Sequence, residues 1–275
     1  MAESYKIDLD KVVQTKMGAR AKWVPQFVVN ALKRLVHQDW LNVFIEQEGE
    51  KQGVPWVKDC LKYVNVKVEV LGIENLPPKD AAPCTFVSNH PLGGADGVAL
   101  AAVIGEKYDG KIRVLVNDLL MHLHGLAPLC VPVNKIGGQS RKLPELLREA
   151  FNSENHIITF PAGLCSRKIN GEITDLPWKK TFIPKSVETH RDIVPLYFEG
   201  ENSPRFYRIA TWCKRIGLKF NLAMMFLPDE LKRANGKTFR IYIGKPVPWQ
   251  TFTNEKTVQQ WTEFVRQQVY SLSKS

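Results

Sequence analysis

Hydrophobic and polar positions along the chain fall into two periods. Valines at 64, 66, 68 and 70 alternate with Asn65, Lys67 and Glu69, the two-residue period of a half-buried strand. Short apolar runs at Cys84–Val87, Ile112–Val116, Leu129–Val133, Ile157–Phe160 and Ile193–Phe198 predict further strands, and Leu222–Phe226 and Phe239–Gly244 read the same way. Helical spacing occupies the stretches between them: Pro55–Lys62, the run GVALAAVIG after Asp96, Asn117–Leu123, Arg141–Phe151, Thr181–Thr189 and Phe206–Ile216. Asn254 is placed to cap a last helix that runs to about Leu272, with Val258, Trp261, Phe264, Val265 and Val269 on one face. Alternating strands and helices predict an α/β domain over residues 64–275, built on a largely parallel sheet covered by helices.

Residues 1–63 read differently. Trp23–Glu46 is one strongly amphipathic helical segment, with Phe27, Val28, Ala31, Leu32, Leu35 and Val36 near helical spacing and Pro25 suited to its first turn. Trp23, Trp40 and Phe44 beside Lys22, Lys33 and Arg34 give it the make-up of a helix lying in a membrane surface. A helix packed on the domain's own core has an apolar face too, and both readings stand at this point.

Composition narrows the class. Of 275 residues 44% are hydrophobic and 24% charged, as in an ordinary globular protein. No apolar segment approaches the roughly 18 residues of a spanning helix, and MAESYKIDLDKVV lacks the order of a signal peptide. Cys60, Cys84, Cys130, Cys165 and Cys213 show no CxxC spacing and read as reduced thiols in the cytosol. The net charge of +10 predicts an acidic partner such as an anionic membrane surface, an acidic carrier protein or a phosphorylated cofactor. No nucleic-acid-binding module accompanies the charge, so a nucleic acid is not among the expected partners.

Candidate chemistry lies where strands end, because ligands of open α/β sheets sit outside the carboxyl ends of the strands. In TFVSNHPLGGADGVAL a strand gives way to a glycine loop that presents His90, and Asp96 sits where a helix N-cap would sit. An imidazole with a carboxylate to fix its tautomer is what a hydroxyl nucleophile needs as its base. A second loop, FPAGLCSRK, follows another strand. Pro161 stops that strand, Gly163 permits a tight turn, and Ser166, Arg167 and Lys168 put a hydroxyl and two cations at the rim, a setting for a phosphate or carboxylate. Arg167 and Lys168 are also placed to lower the pKa of Cys165, although a buried bystander thiol is the simpler reading of that residue. In the third stretch, IVPLYFEG, Pro195 interrupts a buried strand and marks an edge or a bulge. His122 and His124 form an HxH pair with no third ligand in view, so no metal site is expected.

SNHPLGGAD, FPAGLCSR and IVPL together resemble the motifs of the glycerol-3-phosphate and 1-acylglycerol-3-phosphate acyltransferase superfamily, and most of all its lyso-amino-acid-lipid branch. The resemblance implies an O-acyltransferase that moves a fatty acyl group from acyl carrier protein or coenzyme A to the hydroxyl of a lyso-lipid with a small headgroup, such as an N-acylated glycine or ornithine. His90 would be the general base and Asp96 its partner. Gly93, Gly94, Pro161, Gly163, Ser166, Arg167 and Lys168 would line the substrate site, and Pro195 would help to shape it. No cofactor beyond the acyl thioester cosubstrate is implied, and the protein is expected on the inner face of the cytoplasmic membrane. The chain departs from the superfamily in two places: PLGGA puts five residues between His90 and Asp96 instead of four, and Ala162 and Leu164 occupy the second motif's carboxylate positions. Acylation of 1-acylglycerol-3-phosphate, hydrolysis of a thioester or lipid ester, and lipid binding without catalysis remain as alternative readings.

Overall fold

The computed structural model describes residues 5–117, 120–121, 123–133, 142–215 and 222–274. Within them the strands are β1 (Lys67–Leu71), β2 (Thr85–Ser88), β3 (Ile112–Val116), β4 (Cys130–Pro132), β5 (His156–Thr159), β6 (Arg167–Ile169), β7 (Glu172–Thr174), β8 (Ile193–Glu199) and β9 (Thr238–Ile243). The helices are α1 (Leu9–Met17), α2 (Gln26–Leu35), α3 (Gln38–Glu48), α4 (Val54–Val64), α5 (Ala95–Lys107), α6 (Leu143–Phe151), α7 (Phe182–Glu188), α8 (Pro204–Arg215), α9 (Leu227–Arg233) and α10 (Val258–Ser271). Seven strands form one sheet in the order β1-β9-β8-β2-β5-β3-β4. Every neighbouring pair is parallel except β8 with β9.

Side chains leave β2 and β5 alternately to two faces, as a pleated strand covered on both sides requires. Phe86 and Ile158 join α4 and α5 in the larger core, which includes the wholly buried Val57, Ala99 and Leu100. Val87 and Ile193 meet Phe182 and Ile183 of α7 and Trp261, Val265 and Val269 of α10 on the opposite face. Phe44 and Ile45 of α3 and Trp56, Val57, Cys60 and Leu61 of α4 belong to the same core as α5. That core therefore runs straight across position 63, where the sequence suggests a division.

Several local expectations change. The segment Trp23–Glu46 is two helices rather than one, because His37 adopts φ 51° between α2 and α3 and its Nε2 lies 2.7 Å from Asp229 Oδ1. Leu222–Phe226 is a 3-10 helix rather than a strand. The last helix is capped by Thr257, not Asn254, in a reciprocal capping box with Gln260. Arg167 and Lys168, expected on an open loop, lie in a β6–β7 hairpin closed by Asn170-Gly171, a turn pair with φ of 50° and 92°. Pro195 is not at an edge, since β8 is interior. It sits at a bulge, where two residues between Ile193 and Leu196 face three between Ile243 and Val247, and its missing N–H falls where β9 has already left the ladder. The expectations at Asp118, Leu119 and His122 within Asn117–Leu123, and at Arg141 and Ile216, fall outside the described residues.

One buried polar group makes the fold acid-sensitive. His156, at the start of β5, accepts the Cys84 N–H on Nδ1 at 3.0 Å and lies tilted against the Tyr108 ring with centroids 3.8 Å apart, and burial pushes its pKa down to about 4. The unfolded imidazole titrates near 6.5. Its contribution is therefore complete above that pH, falls as the pH drops toward 4, and would total on the order of 3 kcal/mol. In His156→Asn the amide oxygen still accepts the Cys84 N–H, and no imidazole titrates. We expect the stability difference between wild type and this variant, from urea unfolding, to shift against wild type by about 2 kcal/mol between pH 7 and pH 5. A difference independent of pH would contradict this account.

Candidate active site

The site begins with a side chain that imitates backbone. β2 ends at Ser88, opposite Leu196. Asn89 then accepts the Phe198 N–H on Oδ1 at 2.7 Å and donates from Nδ2 to the Phe198 carbonyl at 2.9 Å. The amide keeps β8 satisfied while the main chain turns away from the sheet. His90 emerges there, at the carboxyl end of a central strand. The loops after β5 and β8 flank it, and from the latter Asn202 donates to the Pro91 carbonyl at 3.1 Å.

His90 is held at three points. Its Nδ1 lies 3.0 Å from Asp96 Oδ2, its N–H donates to Asp175 Oδ1 at 3.2 Å, and its carbonyl accepts the Ser166 N–H at 2.7 Å. The ring packs on Phe160 at 4.2 Å between centroids, and 15% of the side chain remains exposed. With Nδ1 committed to a carboxylate, the proton belongs on Nδ1 and the lone pair on Nε2. Nε2 has no hydrogen-bond partner among the described residues.

Asp96 is wholly buried in the first turn of α5, while Gly94 occupies the N-cap position expected for it. Its Oδ2 also accepts Leu92 N–H at 2.9 Å and Gly93 N–H at 3.2 Å, and Oδ1 accepts Gly97 N–H at 2.8 Å. The five-residue spacer thus curls over the carboxylate and brings imidazole and carboxylate into contact. Gly93 makes the curl possible with φ 78°, and a Cβ there would sit 2.8 Å from Cys165 Cβ.

Burial opposes the imidazolium of His90, yet the Asp96 charge and hydrogen bond outweigh it. With Asp175 adding and Arg167 opposing, the pKa lies above the ordinary 6.5. Burial likewise opposes the Asp96 anion, but His90 and the loop amides hold its pKa below the usual carboxylate value. Cys165 is the buried thiol of the two readings, not the activated one. Burial outweighs the neighbouring Arg167 and pushes the thiol up, so it is not an activated nucleophile.

The second loop lies directly against the first, although its side chains face other ways than the sequence suggests. Ser166, expected at the rim, is buried and donates to Asp175 Oδ1 at 2.6 Å. Arg167 donates from Nη1 to the Cys165 and Ser166 carbonyls and spreads 5.4 Å over Phe206 of α8. Pro161 is buried, and its carbonyl accepts the Lys179 N–H at 3.0 Å. Gly163 is exposed at φ 68°, and a Cβ there would strike the Lys179 side chain. Lys168 is exposed in β6. Gly94 opens onto free space. Pro195 pairs in register with Val87, inside the sheet, and packs toward Gly244. Asn89 lies within the first motif without being singled out there, and two further residues that hold the site, Asp175 and Asn202, lie outside the motifs. A polar residue flanked by Ile173, Leu176 and Trp178 was the available signal for Asp175. Among the described residues no cluster of three or more His, Cys, Asp or Glu is placed to hold a metal ion.

The family model described as Acyltransferase matches residues 11–275. The chain belongs to the acyltransferase family. Within it the chain is similar to the lyso-glycine lipid O-acyltransferase of Phocaeicola vulgatus, 56% identical over 97% of this chain and 95% of that one. It is also similar to the lyso-glycine lipid O-acyltransferase of Bacteroides thetaiotaomicron, 53% identical over 97% of each. Among solved structures, the 1-acyl-sn-glycerophosphate acyltransferase PlsC of Thermotoga maritima aligns at a TM-score of 0.48 and 15% identity, over 97% of this chain and 94% of that one. For this acyltransferase the two loop glycines make separable demands. Gly93→Ala strains a left-handed position against Cys165, and we expect a loss of about 1–3 kcal/mol in unfolding free energy together with a fall in activity. Gly94→Ala should leave the melting temperature within a few degrees. Equal destabilisation by both would contradict the geometry.

Proposed function

We propose that this acyltransferase is a lyso-glycine lipid O-acyltransferase with His90 as its general base. The observation that carries the mechanism is the His90–Asp96 pair, with Nε2 open at the carboxyl end of the sheet. The acceptor rests on the names and the 53–56% identity of the two relatives. In the proposed step Nε2 takes the proton of the lyso-lipid hydroxyl as its oxygen attacks the thioester carbonyl. The tetrahedral intermediate then collapses to the new ester, and the imidazolium returns the proton to the departing thiolate. Asp96 holds the ring and stabilises its transient charge. The donor is an acyl thioester of acyl carrier protein or coenzyme A, both acidic and both suited to the net charge of +10.

The same reading places the protein on an anionic bilayer from the cytoplasmic side. Among the described residues no helix is long and apolar enough to cross a membrane. Trp23 and Phe27 are nevertheless 78% and 73% exposed, with Lys22 and Arg34 exposed beside them in sequence. On α8, Trp212 is 58% exposed in a stripe with Arg205, Arg208 and Arg215. Large exposed aromatics among cations suit an interfacial position. Flotation with phosphatidylglycerol vesicles should show binding that Trp23→Ala/Phe27→Ala weakens severalfold, and unchanged flotation would rule these anchors out.

Purified protein given lyso-glycine lipid and an acyl thioester should form diacylated glycine lipid, read by mass spectrometry. His90→Ala should lower the rate by about 10²–10⁴. Because the neutral imidazole is the active form, wild-type kcat/KM should rise with pH through an inflection above 6.5. Asp96→Asn should lower both the rate and the inflection. Free fatty acid as the sole product would point to hydrolysis, and a fully active His90→Ala would remove the base from the mechanism.

A further inference from the structure

Among the described residues Asp175 is the one buried carboxylate besides Asp96 that touches the His90 loop. It follows β7, outside both motif loops, and is 3% exposed. Oδ1 accepts the His90 N–H at 3.2 Å and the Ser166 hydroxyl at 2.6 Å, and Oδ2 accepts Trp178 Nε1–H at 2.9 Å. Its own N–H donates to the Tyr270 hydroxyl of α10 at 3.2 Å. One side chain thus ties the loop after β2 to the loop after β5 and anchors both on the α10 face. The second motif has Ala162 and Leu164 and supplies no carboxylate of its own.

We propose that Asp175 is a positioning residue for the transfer reaction, its carboxylate fixing the backbone of His90 and, through it, the aim of Nε2. The proposal rests on His90 being the base. Two consequences follow from the contacts. Without the carboxylate, the His90 N–H and the Ser166 hydroxyl lose a buried acceptor, and displacing the imidazole by about 1 Å is enough to slow a reaction up to a hundredfold. A second negative charge near His90 also makes the imidazole more basic, which agrees with the direction of its shift.

Two variants separate position from charge. Asp175→Ala removes both. Asp175→Asn keeps an acceptor for His90 and Ser166, but its amide would face the Trp178 N–H donor to donor, so it is combined with Trp178→Phe and compared with Trp178→Phe alone. We expect Asp175→Ala to lower kcat about tenfold to a hundredfold while KM for thioester and lyso-lipid changes less than about threefold. The Asn double variant should recover most of kcat, with the kcat/KM inflection moved to lower pH than in Trp178→Phe. Melting temperatures report the fold, and if Asp175→Ala does not fold the double variant alone decides. An unmoved inflection in a folded double variant, or no folded protein in either case, would assign Asp175 to the fold alone and overturn the proposal. His90→Ala measured alongside separates the two failures. If it is inactive while the Asp175 variants match their controls, only the present inference falls. If it is active, the base reading falls as well.

Discussion

A carboxylate taken wholly out of water has to be surrounded by donors, and Asp96 gathers them from the loop that carries His90. Three backbone amides and one imidazole nitrogen converge on its two oxygens. An isolated buried anion would be prohibitively unstable, and removing one member of such a group exposes the full desolvation penalty to the rest. Much of the local structure follows. The left-handed Gly93 turns two amides inward, Asn89 substitutes for backbone so that the chain can leave the sheet, and Asn202 holds the Pro91 carbonyl. The contact that neutralises the carboxylate also selects the imidazole tautomer and raises its basicity. Structural necessity and chemical competence coincide in one hydrogen bond.

The sheet supplies the rigidity that this hydrogen bond needs. β2 lies between β5 and β8, and from all three strands the chain continues into loops at the same edge. A short excursion from each therefore suffices to enclose the imidazole on three sides. Helices on both faces bury the strands beneath it, which keeps the strand ends fixed relative to one another. Phe206, Tyr207 and Ala210 of α8 close over Cys165 of the second loop. Exposed arginines and Trp212 stand on the other side of the same helix, so the face proposed to meet a bilayer is separated from the second loop by one helix.

The periodic parts of the chain were readable from sequence, and the parts that depend on distant partners were not. Alternating strands and helices gave the layered α/β fold because burial on two faces imposes continuous apolar runs. Leu222–Phe226 misleads because a short apolar run has no period long enough to tell strand from helix. Trp23–Glu46 keeps helical spacing through His37, and the break there is tied to Asp229, 192 residues away, which no local pattern encodes. His90 and Asp96 were legible through motif and spacing. Ser166 could be picked out with its loop but not by what it touches, because its hydroxyl turns inward to a carboxylate nine residues later. Asp175 left almost no signal, since an aspartate after a hairpin looks like any solvated turn residue until the fold closes over it.

The proposed chemistry depends on Asp96 holding His90 as the Nδ1–H tautomer with a basic, available Nε2. The most direct measurement is a ¹⁵N NMR titration of histidine-labelled protein, with the His90 signals assigned by comparison with His90→Ala. We expect a neutral form protonated at Nδ1 and a titration midpoint above the ordinary 6.5, lowered in Asp96→Asn. A neutral form protonated at Nε2, or a midpoint below 6.5 that ignores Asp96→Asn, would contradict it.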